Sequence, residues 1–279
     1  MKRSLRGLVS GLMLGFAHTA TAADLDYLRG SEVFAPGPAV YADWSGFYVG
    51  AQGGYSHTDI TFGTTAPAML GNLMLQSFPG APQVSQLPPS VLKDTGGSAN
   101  FGAFAGYNSQ WEAVVLGVEV NYNRASMNVL SSVAIPLAAP NVGTAIASSS
   151  IHLSDYATLR ARAGYVMGRF LPYAMLGFAI GRADFVDSAR LRFTPVIGGV
   201  PQPNVDALST ATQNSTIGIG YSAGIGVDVM LTDWIFLRGE YEFIQFTSFG
   251  QQTPVFGAVE PVDHKVTLNS VRGALGVRF

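Results

Sequence analysis

The stretch "TIGIGYSAGIGVDVML", residues 216–231, alternates between two kinds of side chain with a period of two. Odd positions are apolar from Ile217 to Val229, whereas even positions are mostly glycine and end with Asp228. Successive side chains of a β-strand point to opposite faces. One face of this strand is therefore continuously apolar, and the other has almost no side chains. A strand of this kind suits either a soluble core or a membrane.

The composition of the whole chain excludes a helical membrane protein but leaves both of these alternatives open. Apolar residues make up 48 % and charged residues 12 %, and there are 33 glycines. Beyond the N-terminal segment, no run approaches the roughly 20 apolar residues that a membrane-spanning helix needs. Two explanations remain open at this point: a large soluble β core, or a transmembrane β-barrel whose membrane signal lies in the alternation itself.

The N-terminus has the features of a secretory signal peptide. Three basic residues precede a short apolar run that ends in "ATA" at 20–22, which predicts cleavage before Ala23. The mature chain would keep 13 of the 16 basic residues against 18 acidic ones, so nucleic-acid binding is disfavoured. The chain has no cysteine and must be stable outside the cytoplasm without disulfides.

Eight segments are predicted as strands, near 46–62, 97–109, 114–129, 150–167, 171–187, 216–231, 235–249 and 265–279. Three of the connections are tight turns, and the other four are long, at 63–96, 130–149, 188–215 and 250–264. Alternating short and long connections are typical of outer-membrane barrels, which have short periplasmic turns and long external loops. The predicted fold is all-β: a transmembrane, eight-stranded, antiparallel up-and-down β-barrel over residues 46–279. Residues 23–45 would form a periplasmic extension.

The charged residues within the strands share a face with the glycines, so the polar face should be the barrel interior. The expected interior charges are Glu119, Arg160, Arg162, Arg238, Glu240, Glu242 and Arg272. Buried ions of opposite sign pair because an unpaired one is costly. We expect Glu119 to pair with Arg162 at the same height, with Arg160 one step further, and Arg272 to meet Glu240 or Glu242. A filled interior is favoured over a narrow channel.

Several motifs resemble a known family. They are "WSGFYVGAQGGYS" at 44–56, "GAFAGYNSQW" at 102–111, "ATLRARAGYVMGRFLPYAMLGFAIG" at 157–181, "GYSAGIGVDVMLTDWIFLRGEYEF" at 220–243 and the ending "VRGALGVRF". Together they resemble the outer-membrane immunogenic protein family of Gram-negative bacteria, which are opacity-type, porin-like surface barrels. The resemblance implies an OmpA-like barrel in the outer membrane, a surface antigen, and recognition of Phe279 by the barrel-assembly machinery.

No catalytic, metal or cofactor site is predicted. The mature histidines, His57, His152 and His264, fall near the long-loop ends of strands and are expected to lie in water at the rim. No Ser, Asp or Glu has the spacing of a catalytic triad. Haem binding through the loops, or a lipid-modifying activity, is a distant alternative, and the chain is not expected to be an enzyme.

The first long loop is the leading candidate for a contact with a partner. Its apolar residues are Met69, Leu70, Leu73, Met74, Leu75 and Phe78. If exposed, they would form an apolar patch of the kind that marks contact sites. Alternatively, they fold onto the barrel rim or touch the outer leaflet. The expected partners are outer-membrane lipid and lipopolysaccharide, with host-surface or haem proteins as further possibilities. The predicted function is an adhesin-like or antigen-like surface protein, and a narrow porin for small solutes is the alternative.

Overall fold

The computed structural model describes residues 42–63, 65–77, 93–137, 142–249, 252–255, 258–261 and 264–279. The elements, in chain order, are β1 Gly46–Thr61, α1 Thr65–Ser77, β2 Lys93–Trp111, β3 Val114–Pro136, β4 Val142–Tyr165, β5 Phe170–Thr194, β6 Val196–Ile197, β7 Val200–Pro201, β8 Val205–Met230, β9 Ile235–Phe249, β10 Gln252–Val255, β11 Ala258–Pro261 and β12 Lys265–Arg278. Within these ranges, no helix is both long and apolar enough to cross a membrane.

Eight long antiparallel strands close into a barrel. The order around the barrel is β1, β2, β3, β4, β5, β8, β9 and β12, and β12 pairs with β1. Starting at Val49, the paired residues lead once around the barrel and return to β1 ten residues further, at Asp59. This offset tilts the strands and leaves an interior that side chains can fill. The predicted fold class is confirmed.

The two faces of the barrel wall differ as the alternation requires. Side chains such as Leu176 and Phe178 point outward and are 69 % and 73 % exposed. Their neighbours on the inner face, Met175 and Ala179, are buried. The inner glycines provide space for large side chains: a Cβ on Gly106 would lie 2.4 Å from the Tyr48 hydroxyl, and one on Gly50 would lie 2.3 Å from the Phe104 ring.

Four neighbouring strands, β3, β4, β5 and β8, are longer than the sequence pattern predicted. Residues 130–149 and 188–215 were expected to be loops, and most of them continue these strands instead. The reason is that small side chains keep the period of two: Ala145, Ala147 and Ala189 are buried on the inner face. β5 therefore has 25 residues against 14 in β12. We call residues 126–136, 142–154, 184–194 and 205–216 the protruding wall.

Irregularities in the strand pairing mark the base of the protruding wall. The register shifts between Arg124 and Met127, between Leu153 and Asp155, and between Ala183 and Phe185. Bulges of this kind bend strands and re-aim side chains. At the far end, β6 and β7 form a tight hairpin, and Gly198 and Gly199 have φ angles of +59° and +83°. These values fit the turn type that favours glycine in two-residue hairpins.

The barrel encloses two apolar clusters. The smaller one, near the short turns, contains Trp44, Tyr48, Phe104 and Phe236. The larger one lines the other half of the barrel and the inner face of the protruding wall. Helix α1 lies in the segment that was predicted as the first long loop. It covers this larger cluster and contacts β4, β5 and β8. The charged residues lie between the two clusters.

The variant Gly106→Val tests whether the inner face needs a glycine beside Tyr48. The new side chain would occupy the site of the Tyr48 ring and displace it, so we expect a lower yield of folded barrel and a destabilisation of about 1–3 kcal/mol. The measurement is the urea midpoint, followed by the gel shift between heated and unheated samples. Gly273→Val is the matched control, because a Cβ there has no heavy atom within 4 Å. Equal midpoints for the two variants would contradict the packing described.

Candidate functional site

The first predicted ion pair of the interior forms, but the register of β3 against β4 differs by one step from the predicted one. Arg160, rather than Arg162, is the residue directly opposite Glu119, and Arg162 is opposite Gly117. The Arg160 guanidinium contacts the Glu119 carboxylate. Arg162 still approaches the same carboxylate, with 3.6 Å between Nη1 and Oε2.

The second predicted pair lies across β9 and β12. Arg272 is directly opposite Glu240, with 2.6 Å between Nη2 and Oε1, and it also contacts Glu242. Arg160 reaches across the barrel to the same two carboxylates, at 2.8 Å from Glu240 and 2.9 Å from Glu242. Arg238 lies 2.7 Å from Glu119. The structure thus joins all seven expected interior charges in one network.

Asp228 completes this network and was missed as a partner. It lies opposite Arg238 and 2.8 Å from the Arg238 Nε, while its other oxygen is 2.6 Å from Arg162. The sequence could have indicated this role, because Asp228 lies on the glycine face of residues 216–231, which faces the interior. With Asp228, four arginines face four carboxylates, so the formal charges of the network balance. A balanced cluster avoids the penalty of an uncompensated buried ion.

Two inward tyrosines, also missed, extend the network. The Tyr48 hydroxyl donates a hydrogen bond of 2.8 Å to Glu119, and the Tyr173 hydroxyl donates one of 2.9 Å to Glu240. The Arg162 guanidinium lies over the Tyr173 ring, 3.9 Å from its centroid. These contacts provide further hydrogen-bond partners and add cation–π interactions.

The interior is filled above and below the charges. On the long-loop side, Gln52 donates a hydrogen bond of 2.9 Å to Asn121, and Asn100 donates one of 2.6 Å to Ser56. The larger apolar cluster and α1 follow. On the other side, the Trp44 ring packs on Phe236 at 5.9 Å. The described interior is thus occupied along its length by aromatic, charged, amide and aliphatic side chains in succession.

One of the three histidines departs from the expected place in solvent. His264 is buried and stacks on Phe185, with ring centroids 4.3 Å apart, and its Nδ1 accepts a hydrogen bond from Gly63 N–H. It is buried because the wall strand β5 rises beside it. His57 is half exposed next to Asp59, and His152 bonds Asn128. Among the described residues, no group of three or more His, Asp or Glu side chains could hold a metal ion.

The expected exposed patch of the first loop is wrong for part of its residues. Met69 and Leu70 are buried on α1, and Leu73 and Met74 are partly buried against the same cluster. Leu75 is exposed, and Phe78 lies outside the described residues. The apolar side of α1 is buried because the helix folds onto the barrel rim, as the alternative expectation for these residues required.

The C-terminus closes the barrel seam. The Phe279 N–H donates a hydrogen bond of 2.8 Å to Phe47, and the Phe279 ring is exposed on the outer face. Arg278 lies 3.1 Å from Asp43. Partial burial alone would raise the pKa of Asp43, but the hydrogen bond from Ser45 N–H and the Arg278 guanidinium hold that pKa below its usual value.

The end of the protruding wall combines exposed apolar and basic side chains. Ile197 and Val200, on the hairpin, are 68 % and 60 % exposed. Below them, Arg190 lies 2.7 Å and Arg192 3.3 Å from Asp206. The hydrogen bond from Arg190 lowers the pKa of Asp206, so this carboxylate stays ionised, and the trio carries one net positive charge.

Comparison with known proteins identifies the family. The family model described as "Outer membrane protein beta-barrel domain" matches residues 12–279. The chain belongs to this family. The family resemblance inferred from the sequence motifs is confirmed, and this outer-membrane barrel protein resides in the cell outer membrane.

The chain is also similar to curated relatives and to solved structures. The 25 kDa outer-membrane immunogenic protein of Brucella canis is 24 % identical over 286 residues, covering 99 % of this chain and all of the relative. The Brucella ovis protein of the same name is 24 % identical over 254 residues, covering 88 % of this chain and 91 % of the relative. Neisserial surface protein A is 16 % identical, with a TM-score of 0.35, covering 84 % of this chain and 98 % of that structure. Ail of Yersinia pestis is 13 % identical, with a TM-score of 0.33, covering 84 % and 99 %.

Glu119→Gln tests the charge balance of the interior. The change leaves four arginines facing three carboxylates in a buried site, so we expect a destabilisation of about 3–5 kcal/mol in the urea midpoint of the outer-membrane barrel. Asp206→Asn is the control, because it breaks an ion pair in solvent and should leave the midpoint nearly unchanged. A variant Glu119→Gln as stable as the unaltered barrel would show that the network does not depend on this charge.

Planar-bilayer recording tests whether the interior conducts. We expect no steady conductance from the purified barrel, because the charge network and the apolar clusters fill the interior. Replacement of residues 65–77 by a Gly/Ser linker should also leave the bilayer silent, since the network lies below α1. Steady ion current through the unaltered protein would refute the filled interior, whereas current only in the α1 variant would assign the seal to the helix.

Proposed function

We propose that this protein is a surface recognition protein of the outer membrane, adhesin-like or antigen-like, whose partner contacts lie on the protruding wall. The outer face of the barrel is exposed to lipid, and its interior is packed. The surfaces left for a soluble partner are the wall and the connections at the long-loop end. Loops and extensions held by a rigid scaffold commonly carry recognition.

The observation that carries this proposal is the exposed apolar hairpin at the end of the wall. Ile197 and Val200 flank a tight Gly-Gly turn, and Val142, at the start of β4, is 71 % exposed. The hairpin is held by a hydrogen bond of 2.7 Å from Gln202 N–H to Pro195 and by the bond from the Thr194 hydroxyl to Asn204. Exposed apolar residues on a rigid support favour binding, because little conformational entropy is lost when a partner covers them.

The basic residues below the hairpin support a partner with acidic groups. Arg190 and Arg192 project from β5, and both lie within ion-pair distance of Asp206. Electrostatic complementarity increases the rate of association. The proposed partners are macromolecules outside the cell, namely host-surface proteins or haem proteins, and catalysis is not part of the proposed function.

Three further proposals come from the sequence. Residues 1–22 would be a cleaved signal peptide, and residues 23–45 a periplasmic extension; the structure describes only 42–45 of these. The barrel-assembly machinery would recognise Phe279, whose ring is exposed at the end of the last strand.

The double variant Ile197→Ser with Val200→Ser tests the role of the hairpin. We expect cells carrying it to lose most of their binding to host cells or to immobilised haem proteins, because the apolar contact is removed while the turn glycines stay. Flow cytometry measures the binding, with surface labelling and the heat-dependent gel shift as checks on assembly.

The matched control is Leu130→Ser with Leu208→Ser, which removes two equally exposed apolar residues from the wall strands below the hairpin. Undiminished binding by the hairpin variant would contradict the proposal. Loss of binding in the control variant alone would move the contact from the hairpin to the outer side of the wall.

A further inference from the structure

We propose that one edge of the protruding wall binds an extended segment of a partner protein as an added antiparallel strand. The edge is residues 205–212 of β8, and we call it the β8 edge. The inference rests on the proposed function, in which the wall is the recognition surface, and it names the class of partner and the mode of binding. The groups that bind are main-chain groups of β8, separate from the hairpin at the end of the wall.

The β8 edge has a paired strand on one side and an open side on the other. Its eight residues pair with β5. On the other side, β9 ends at Phe249, which is paired with Gly218, below the β8 edge. Within the described ranges, no strand continues the place of β9 above that level. A strip roughly 27 Å long, at the usual rise per residue, is therefore available for another strand.

The alternation of the strand identifies which main-chain groups face the open side. At the lower end of β8, the N–H of buried Met230 donates to Arg169, just before β5, whereas the N–H of exposed Leu231 donates to Ile235 on β9. Along a strand, the direction of N–H and C=O reverses at each residue together with the side-chain face. Outward residues of β8 therefore direct these groups toward the β9 side. In the β8 edge these residues are Asp206, Leu208, Thr210 and Thr212.

The β8 edge also lacks the features that usually protect a sheet edge. Such edges carry lysine, proline or a bulge, which prevent pairing with another chain. The sequence "VDALSTAT" has neither lysine nor proline, and its pairing with β5 has no register shift. Its one charged side chain, Asp206, lies 2.7 Å from Arg190 on β5. In the part of the chain that the structure describes, no hydrogen bond reaches the four outward main-chain positions from the open side.

The opposite edge of the wall, on β3, is less suited to an added strand. It ends at Pro136, which has no N–H to donate. Lower down, β2 runs close to it: the Ser98 hydroxyl donates a hydrogen bond of 3.1 Å to the Ser126 carbonyl, and a Cβ on Gly96 would lie 2.6 Å from the Val129 side chain. The two edges of the wall are thus unequal, and the β8 edge is the better template.

The surroundings of the β8 edge define the chemistry of the partner. A regular row of N–H and C=O groups matches a polypeptide main chain, which is how strand addition binds peptides. On the inner face, Val205, Ala207 and Ala211 are partly buried against the larger apolar cluster. On the outer face, Thr210 and Thr212 are exposed. Because cross-strand neighbours contact each other, the added strand should have apolar residues at alternate positions and hydroxyl or β-branched residues between them. An antiparallel direction continues the pairing of the barrel.

The test uses a fluorescent nonapeptide of alternating valine and threonine, with a lysine at each end for solubility. Fluorescence anisotropy measures its binding to the full mature chain in phosphatidylcholine nanodiscs, and we expect saturable binding. The same peptide N-methylated at its threonines keeps the side chains but lacks the main-chain donors that face β8 in antiparallel pairing. We expect it to bind roughly tenfold or more weakly. No binding of the first peptide, or equal binding of both, would overturn the inference.

The variant Leu208→Pro with Thr212→Pro tests the same contact from the side of the barrel. It removes two main-chain donors of the open side and keeps those that pair with β5, a position where an edge strand tolerates proline. We expect peptide binding to weaken roughly tenfold or more. Leu208→Val with Thr212→Val is the matched control, because it keeps both N–H groups, and it should bind as the unaltered barrel does. The heat-dependent gel shift shows that each variant is folded.

The hairpin variant separates this inference from the proposed function. Ile197→Ser with Val200→Ser should bind the peptide normally, since the β8 edge is unchanged. Peptide binding that survives the proline variant and is lost in the hairpin variant would overturn the inference and leave recognition by the hairpin standing. Host-cell binding that survives both variants would instead contradict the proposed function. Association of two barrels without peptide, seen by native mass spectrometry and abolished by the proline variant, would assign the β8 edge to a second copy and overturn the inference.

Discussion

The interior of this barrel depends on the pairing of four arginines with four carboxylates, because each of these buried ions is costly without its partner. All eight members occupy inward positions of their strands, and several pairs connect strands that are far apart in sequence, as Glu119 with Arg238 shows. A shift of one residue in any of these strands would turn its charged side chain toward lipid and leave a partner uncompensated. The cluster therefore specifies strand register as well as filling the interior.

The rest of the interior is ordered in layers around that cluster. Amide and hydroxyl side chains separate the charges from the larger apolar cluster. Helix α1 covers the last layer with Ala66, Met69 and Leu70. The same cluster includes inward residues of the wall strands, such as Ala147, Ala189 and Leu191, so the packing of the barrel continues into the wall without interruption.

The alternation of side chains was enough to predict the closed barrel, the inner face and the charges that meet there. The exact partner of Glu119 was not predictable, because strand ends estimated from turns carry an error of a residue or two and the register depends on them. The wall was missed because alanine and serine serve equally well in strands and loops. Helix α1 was missed although Met69, Leu70, Leu73 and Met74 recur at the spacing of one helical face. The prediction that His264 lies in solvent was wrong for a related reason. Its ring is buried against Phe185, in the part of β5 that was not predicted to continue so far.

The ladder between β5 and β8 continues without a break from Phe185 paired with Gln213 to Phe193 paired with Val205. Among the described residues, its hairpin end continues into the membrane barrel through these two strands, beside their neighbour β4. Two residues could be added to or removed from each of the two strands. Every remaining side chain would still point to the same side of the sheet, because the side-chain period of a strand is two. The height of the surface hairpin above the bilayer is therefore an adjustable quantity, and the wall can change in length without disturbing the buried ion cluster or the insertion of the barrel.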